Sequence, residues 1–294
     1  MAEIRKVAVL GCGLMGSGIA EVCAKAGYDT TVREVNDELA QKGRAAIEKS
    51  LGRAVEKGKL EASARDEILG RITMTTQLAD LKDCDLIIEA VTENLDTKNA
   101  MFRELDTVCP EHTIFASNTS SLTIAAMAAA TNRPHRFVGL HFFNPVPVMK
   151  LVEVVRSIAT DADAFRVAYD FASSLGKTPI EAKDTSGFVV NRLLVPYMLD
   201  AIRCLEQGLA SMEDIDTAMT LGTGYPMGPF VLCDFVGIDT LYYISEIMFE
   251  EFREPRFAPP PLLRRMVTLG YYGRKTKRGF YDYRGEKPVP MALV

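Results

Sequence analysis

The chain has 294 residues, 48% hydrophobic and 25% charged, which is ordinary composition for a globular protein with a sizeable core. Asp and Glu number 39 against 34 Lys and Arg, and the net charge of -5 argues against non-specific nucleic-acid binding. No apolar run approaches the ~20 residues of a membrane helix. The six cysteines form no Cys-x-x-Cys pair and the three histidines are too scattered for zinc, so the expectation is a protein of the reducing cytoplasm with no metal, membrane or nucleic-acid partner.

Met1-Ala2-Glu3-Ile4-Arg5-Lys6 runs straight into Val7-Ala8-Val9-Leu10, an apolar run that predicts a buried parallel strand and leaves no room for a leader peptide. Gly11-Cys12-Gly13-Leu14-Met15-Gly16 follows and fits G-x-G-x-x-G. Its first glycine permits a tight turn, its second lets backbone approach a pyrophosphate, and its third allows close helix–strand packing. Residues 14–26 read as a helix whose N-terminus offers free N–H groups and a positive dipole end to the phosphates. Thr30-Thr31-Val32 is the second strand. Glu34, beyond it, suits the adenosine ribose hydroxyls and repels a 2′-phosphate, so NAD is expected over NADP. The neighbouring Arg33 would suit that phosphate only if Glu34 turned away.

Residues 36 to about 69 are charged, helix-favouring and broken at Gly58, which predicts a helical hairpin projecting from the sheet. Lys49, Arg53 and Lys57 share one face of it, either to meet the phosphates of a polyanion or as a solvated charged face. Short β-prone runs at 72–76, 85–91 and 113–118, with helices between, imply a parallel sheet with right-handed crossovers. Ser117-Asn118-Thr119-Ser120-Ser121 falls at the carboxyl end of the last of these, either lining a site or capping the next helix.

The segment from Phe137 to Val155 is the most informative. An apolar run ends at His141, Pro145 and Pro147 stiffen a loop, and a second apolar run carries Glu153 at its centre. Proline leaves central strands, so two strands separated by this loop are expected. If they lie side by side, His141 and Glu153 come within hydrogen-bonding distance, and a histidine oriented by a carboxylate is a general base near neutral pH.

Thr178 to Lys183 is the last expected strand. Beyond Gly187 the chain reads as helices, the first over about 188–207. Ser211 with Asp214 marks the next N-terminus, the loop from Gly222 to Pro229 separates it from a further pair, and Pro259-Pro260-Pro261 opens the last. Asn191, early in the first of them, is either satisfied locally or aimed at a ligand. The expected fold is α/β: a Rossmann-type doubly wound sheet over 1–184 with the hairpin at about 36–69, and a C-terminal all-helical domain over 185–294. The apolar helices after 188 exceed what one small domain would bury, so a homodimer through them is expected.

From residue 4 to about 283 the chain resembles the stand-alone L-3-hydroxyacyl-CoA dehydrogenases, including the bacterial 3-hydroxybutyryl-CoA dehydrogenases. The resemblance is carried by the glycine loop, Ile88 to Asn94, Ala116 to Leu122, His141 to Glu153, Asp184 to Phe188 with Asn191-Arg192, and Gly224 to Pro229. It implies NAD as cofactor, an acyl-CoA substrate, and reversible oxidation of (S)-3-hydroxyacyl-CoA to 3-ketoacyl-CoA. By matching position His141 is implied as general base and Glu153 as its orienting partner. Ser120 is implied to bond the substrate near its reacting oxygen, with Asn191 helping to position it. Glu93, Lys98, Ser120, Asn144 and Lys275 are implied to line the NAD site beside Gly11, Gly13, Leu14, Met15, Gly16 and Glu34, and Ser50 and Lys57 to touch coenzyme A. Glu34 stands where aspartate is commoner, and Ser186 where proline usually precedes Gly187-Phe188. Two other functions share parts of this pattern. A dehydrogenase of sugar acids such as L-gulonate would lack the coenzyme A clamp, which Ser50 and Lys57 suggest. A non-catalytic NAD-binding structural protein would not need the set His141, Glu153, Ser120 and Asn191.

Overall fold

In the computed structural model, which describes residues 4–293, the chain divides into two units, one ending at Phe188 and one beginning at Val189. The first contains β1 (Lys6–Leu10), α1 (Leu14–Lys25), β2 (Asp29–Arg33), α2 (Asp37–Glu56), α3 (Ala62–Gly70), β3 (Ile72–Thr75), β4 (Leu86–Glu89), α4 (Leu95–Val108), β5 (Ile114–Ser117), α5 (Ile124–Ala128), β6 (Phe137–Phe142), β7 (Leu151–Arg156), α6 (Ala162–Ser174) and β8 (Thr178–Lys183). The strands form one sheet in the order β3-β2-β1-β4-β5-β6-β7-β8. The chain order reverses between β1 and β4, and in such sheets ligands bind beyond the carboxyl ends of the strands at that point.

The first six strands are parallel. β7 runs antiparallel to β6, and β8 runs parallel to β7. The parallel sheet expected from the earlier strands thus carries one reversed pairing, between β6 and β7. Residues 143–150, between β6 and β7, are fewer than the roughly dozen that a parallel crossover needs, so the chain must turn back.

Side-chain alternation along the central strands feeds two cores. Val7, Val9, Ile88, Val138 and Leu140 pack with Ile19 of α1, Ile47 and Leu51 of α2 and Phe171 of α6. Ala8, Leu10, Ile87, Phe115 and Phe137 pack with Phe102 and Leu105 of α4. Helices therefore cover both faces, which is why the strands read as continuous apolar runs. The expected helical hairpin is α2 and α3. Asn36 caps α2 by accepting from Leu39 N at 2.9 Å, and Gly58, at φ +64°, turns the chain after Lys57.

The second unit contains α7 (Val190–Glu206), α8 (Met212–Thr223), α9 (Pro229–Val236), α10 (Ile238–Phe252), α11 (Pro261–Thr268) and a two-stranded antiparallel ladder, β9 (Tyr281–Asp282) with β10 (Val289–Pro290). Ser211 caps α8, its hydroxyl accepting from Asp214 N at 3.1 Å. α8 runs through Gly222 and ends at Gly224, φ +75°. The ladder departs from an all-helical domain because a buried carboxylate organises it. Asp234 of α9 has no solvent exposure and accepts from Phe280 N at 2.8 Å, Tyr281 N at 2.9 Å and Tyr283 OH at 3.0 Å. Among the described residues no helix is long and apolar enough to cross a membrane.

Burial pushes the Asp234 carboxyl up to about 6, against the pull of its hydrogen bonds and Arg274. The folded state then binds the proton more tightly than the unfolded state, so stability from this group falls as pH rises from its unfolded value toward 6. Relative to wild type, Asp234→Asn should gain up to about 3 kcal/mol between pH 4 and 7, from roughly two pKa units at 1.36 kcal/mol each. Urea unfolding checks this, and a pH-independent difference would refute it.

Candidate active site

The glycine loop joins β1 to α1. Gly11 has φ +83°, and a Cβ there would lie 2.9 Å from Ala90 O; a Cβ on Gly16 would overlap Gly11 O. Gly13 differs: nothing lies within 4 Å of its Cβ position, so its backbone faces open space. It starts α1 with no side-chain cap and no acid in the first turn. Leu14 is exposed and Met15 half-buried. Open backbone and an uncapped helix end with no acid in its first turn fit a pyrophosphate. Glu34, just past β2, is held against this loop, accepting from Cys12 N at 2.5 Å and Val35 N at 3.1 Å. Burial and then the Glu34 charge push the Cys12 thiol up to about 12, so it stays a neutral apolar wall. Arg33 instead donates through Nε to Thr76 O, at 3.4 Å. These residues suit NAD, with a carboxylate rather than a guanidinium facing the loop.

A buried ionic network lies at the carboxyl ends of β4 and β5. Lys98 of α4 is 1% exposed, and its Nζ lies 2.6 Å from Glu89 Oε1 and 3.1 Å from Glu93 Oε2. Ser117 Oγ donates to Glu89 Oε2 at 2.5 Å and Val91 N donates to Oε1 at 2.7 Å. Glu93 also accepts from Thr119 Oγ1, Ser121 Oγ and Ser120 N. Burial raises the Glu93 carboxyl, but the Lys98 charge and these hydrogen bonds outweigh it and hold it below its ordinary value. Glu93 thereby gathers the loop that carries Ser120.

That loop does not cap the following helix. The Asp184 carboxylate does so from beyond β8, accepting from Ile124 N at 2.6 Å and Ala125 N at 2.7 Å. Asn118 Oδ1 accepts from Phe142 N at 2.9 Å, which ties the loop to the end of β6. β5 pairs with β6 only as far as Gly139, so this side-chain bond continues the strand edge past His141.

His141 and Glu153 are directly opposed in the antiparallel β6–β7 pair. His141 Nδ1 lies 2.5 Å from Glu153 Oε2. Glu153 is fully buried and His141 is 6% exposed. A carboxylate acceptor fixes the proton of the neutral ring on Nδ1, which leaves the Nε2 lone pair as the base. Phe143 and Phe188 flank the imidazole, with centroids 4.5 Å and 5.6 Å away.

The other expected site residues are placed as follows. Asn144 is exposed in the loop after β6, before a cis bond to Pro145. Ser50 of α2 bonds the buried Glu21 carboxylate of α1. Lys57 is the exposed C-cap of α2, and Lys49 and Arg53 are also exposed. In the second unit, Asn191 lies in the first turn of α7, and Lys275 Nζ bonds Asp239 at 2.8 Å and Thr240 Oγ1 at 3.0 Å. Sequence reasoning assigned no role to Glu89, Asn118, Asp184 or Phe188. Only Glu89 left a signal: an acid ending the apolar run Leu86-Ile87-Ile88.

Residues 6–185 match the model of the 3-hydroxyacyl-CoA dehydrogenase NAD binding domain, and residues 187–283 that of the 3-hydroxyacyl-CoA dehydrogenase C-terminal domain. A 3-hydroxybutyryl-CoA dehydrogenase of Mycobacterium tuberculosis is 53% identical over 282 residues, 95% of this chain and 99% of that protein. The human mitochondrial hydroxyacyl-coenzyme A dehydrogenase is 48% identical over 288 residues, 96% of this chain and 92% of that protein. The crystal structure of an (S)-3-hydroxybutyryl-CoA dehydrogenase from Ralstonia eutropha has a TM-score of 0.94 and 44% identity, covering 96% of this chain and all (100%) of that one.

Lys98→Met would leave two carboxylates without their buried counter-charge. Urea unfolding should show a loss of about 3–5 kcal/mol. A depressed carboxyl stabilises above its unfolded pKa and loses that contribution as pH falls through its folded pKa, so the gap to wild type should narrow in acid. Adding Glu89→Gln should restore part of the loss; simple additivity would show that the charges are not coupled.

Proposed function

Because the chain belongs to the 3-hydroxyacyl-CoA dehydrogenase family, and so interconverts (S)-3-hydroxyacyl-CoA and 3-ketoacyl-CoA with NAD, we propose a short-chain enzyme acting on 3-hydroxybutyryl-CoA and acetoacetyl-CoA, with His141 as general base. The observation that carries the chemistry is the buried 2.5 Å contact between His141 Nδ1 and Glu153. The names of the bacterial relatives support the short chain.

In the oxidative direction His141 Nε2 takes the proton of the substrate hydroxyl. Glu153 holds the ring in the competent tautomer and stabilises the imidazolium, since an opposite charge is strongly felt where solvent is excluded. In the reductive direction the imidazolium polarises the ketone and returns the proton. NAD, when bound, supplies the two-electron acceptor or donor. Ser120 and Asn191 hold the reacting oxygen by hydrogen bonds. Gly11, Gly13, Leu14, Met15, Gly16 and Glu34 hold the dinucleotide together with Glu93, Lys98, Asn144 and Lys275. Ser50 and Lys57, with exposed Lys49 and Arg53 nearby on α2, receive coenzyme A and offset the overall negative charge of the chain. Near-full-length relatives named 3-hydroxybutyryl-CoA dehydrogenase, at 53% and 46% identity, weigh against the sugar-acid and non-catalytic alternatives.

A homodimer through the second unit belongs to the same proposal. Leu193, Leu221 and Tyr243 are 67%, 83% and 62% exposed there, which supports an apolar surface awaiting a second copy. Cytoplasmic placement is also proposed, supported by six free cysteines.

With acetoacetyl-CoA and NADH, followed by NADH absorbance, His141→Gln should lower kcat by about 10²–10⁴ while NADH binding by fluorescence persists. Near-normal turnover would remove His141 from this role. The wild-type kcat/KM should be highest for acetoacetyl-CoA and fall for longer 3-ketoacyl-CoA thioesters; a long-chain optimum would overturn the short-chain assignment. Light scattering should give twice the chain mass, and a monomer would refute the dimer.

A further inference from the structure

Phe188 closes the first unit in an unfavourable backbone conformation. Its φ is +43°, in the left-handed region where Cβ crowds the carbonyl oxygen. Two other non-glycine residues among those described share that region, Arg253 and Lys277, and both end helical turns, where it is common. Phe188 ends no helix and is 4% exposed. Strain of this kind persists only where the surroundings over-determine it, and it gathers at functional sites.

The surroundings are specific. Asp184 caps α5, Ser186 Oγ donates to Ser121 O at 2.9 Å, and Phe188 N donates to Thr185 O at 2.9 Å. Residues 184–188 are thus strapped to the loop that carries Ser120. The strap holds the Phe188 ring 5.6 Å from the His141 imidazole and inclined at 58° to it, while Phe143 lies 4.5 Å away at 53°. Glu153 grips one edge of the imidazole, at Nδ1. A single edge contact leaves the ring able to rock about its bond to Cβ, and contact with two inclined aromatic rings restricts that freedom.

We propose that Phe188 is a positioning residue for His141: its ring fixes the imidazole plane, so that Nε2 has one direction, and the strained turn at Gly187-Phe188 is what delivers the ring. This rests on His141 being the general base. A leucine keeps much of the bulk without the aromatic ring, whereas a glycine relieves the backbone and removes the ring.

With three histidines in the chain, the His141 ring signals can be resolved by 1H–15N NMR in the ligand-free protein. Phe188→Leu should lower kcat for acetoacetyl-CoA and NADH by roughly 10- to 100-fold, the scale of a misaligned catalytic group. KM for both substrates should change by less than about threefold, since the loss falls on alignment rather than uniform binding. The His141 signals should broaden or split, and Phe188→Gly should behave in the same way despite its relaxed backbone. Wild-type kcat with unbroadened His141 signals in either folded variant would overturn the proposal. So would a loss of activity with an unchanged His141 spectrum, because the ring would then act on folding or ligand binding alone. His141→Gln in the same assay separates the two ideas. Normal turnover there sinks the general-base assignment, while the spectra of the Phe188 variants still report whether the ring holds the imidazole.

Discussion

Glu153 carries its carboxylate into a strand with no solvent exposure, where an unpaired charge costs several kcal/mol. His141, directly across the ladder, is its partner, and the antiparallel register is what sets the two side chains face to face. A one-residue slip would turn one of them to the opposite face of the sheet and break the pair. Register, charge burial and the proposed catalytic geometry are therefore one constraint. The sheet accommodates it by reversing β7, and β8 follows the new direction.

The neighbouring polar network serves a different end. Glu89, Lys98 and Glu93 leave one net negative charge in a largely buried cluster, and Glu93 spends its remaining capacity on three donors from residues 119–121. Buried networks of this kind are tolerated when every member is satisfied, and they then specify one arrangement. Here they fix a short, polar loop at the carboxyl end of β5. Glu93 also sits just before the N-terminus of α4, whose dipole favours a negative charge.

How much of this was legible in the sequence follows from the range of the forces involved. The glycine loop, the helix that follows it, the hairpin and the cap at Ser211 are set by bonds between residues a few positions apart, and local chemistry exposes them. The His141–Glu153 pair was legible because a short proline-bearing loop brings distant-looking residues together. Asp184 was not: its bonds to Ile124 and Ala125 cross some sixty positions, and an aspartate after a strand looks like any solvated turn residue. Phe188 was equally opaque, since apolar residues at a helix start read as core, and a left-handed φ at a phenylalanine leaves no mark in residue order. The C-terminal ladder was missed for the same reason, because Asp234 holds it from forty-six positions away.

The choice of a distant carboxylate to cap α5 is itself informative. A serine or threonine within residues 117–123 could have capped one of these N–H groups locally, with a weaker neutral bond. A local cap, though, would leave only Ser186 to tie the end of β8 to the loop bearing Ser120. With Asp184 and Ser186 in place, the last residues of the first unit, the loop bearing Ser120 and the ring beside His141 share one set of hydrogen bonds. The residue proposed to bind the reacting oxygen and the residue proposed to take its proton are then held against a common support. That is what alignment within a fraction of an ångström requires.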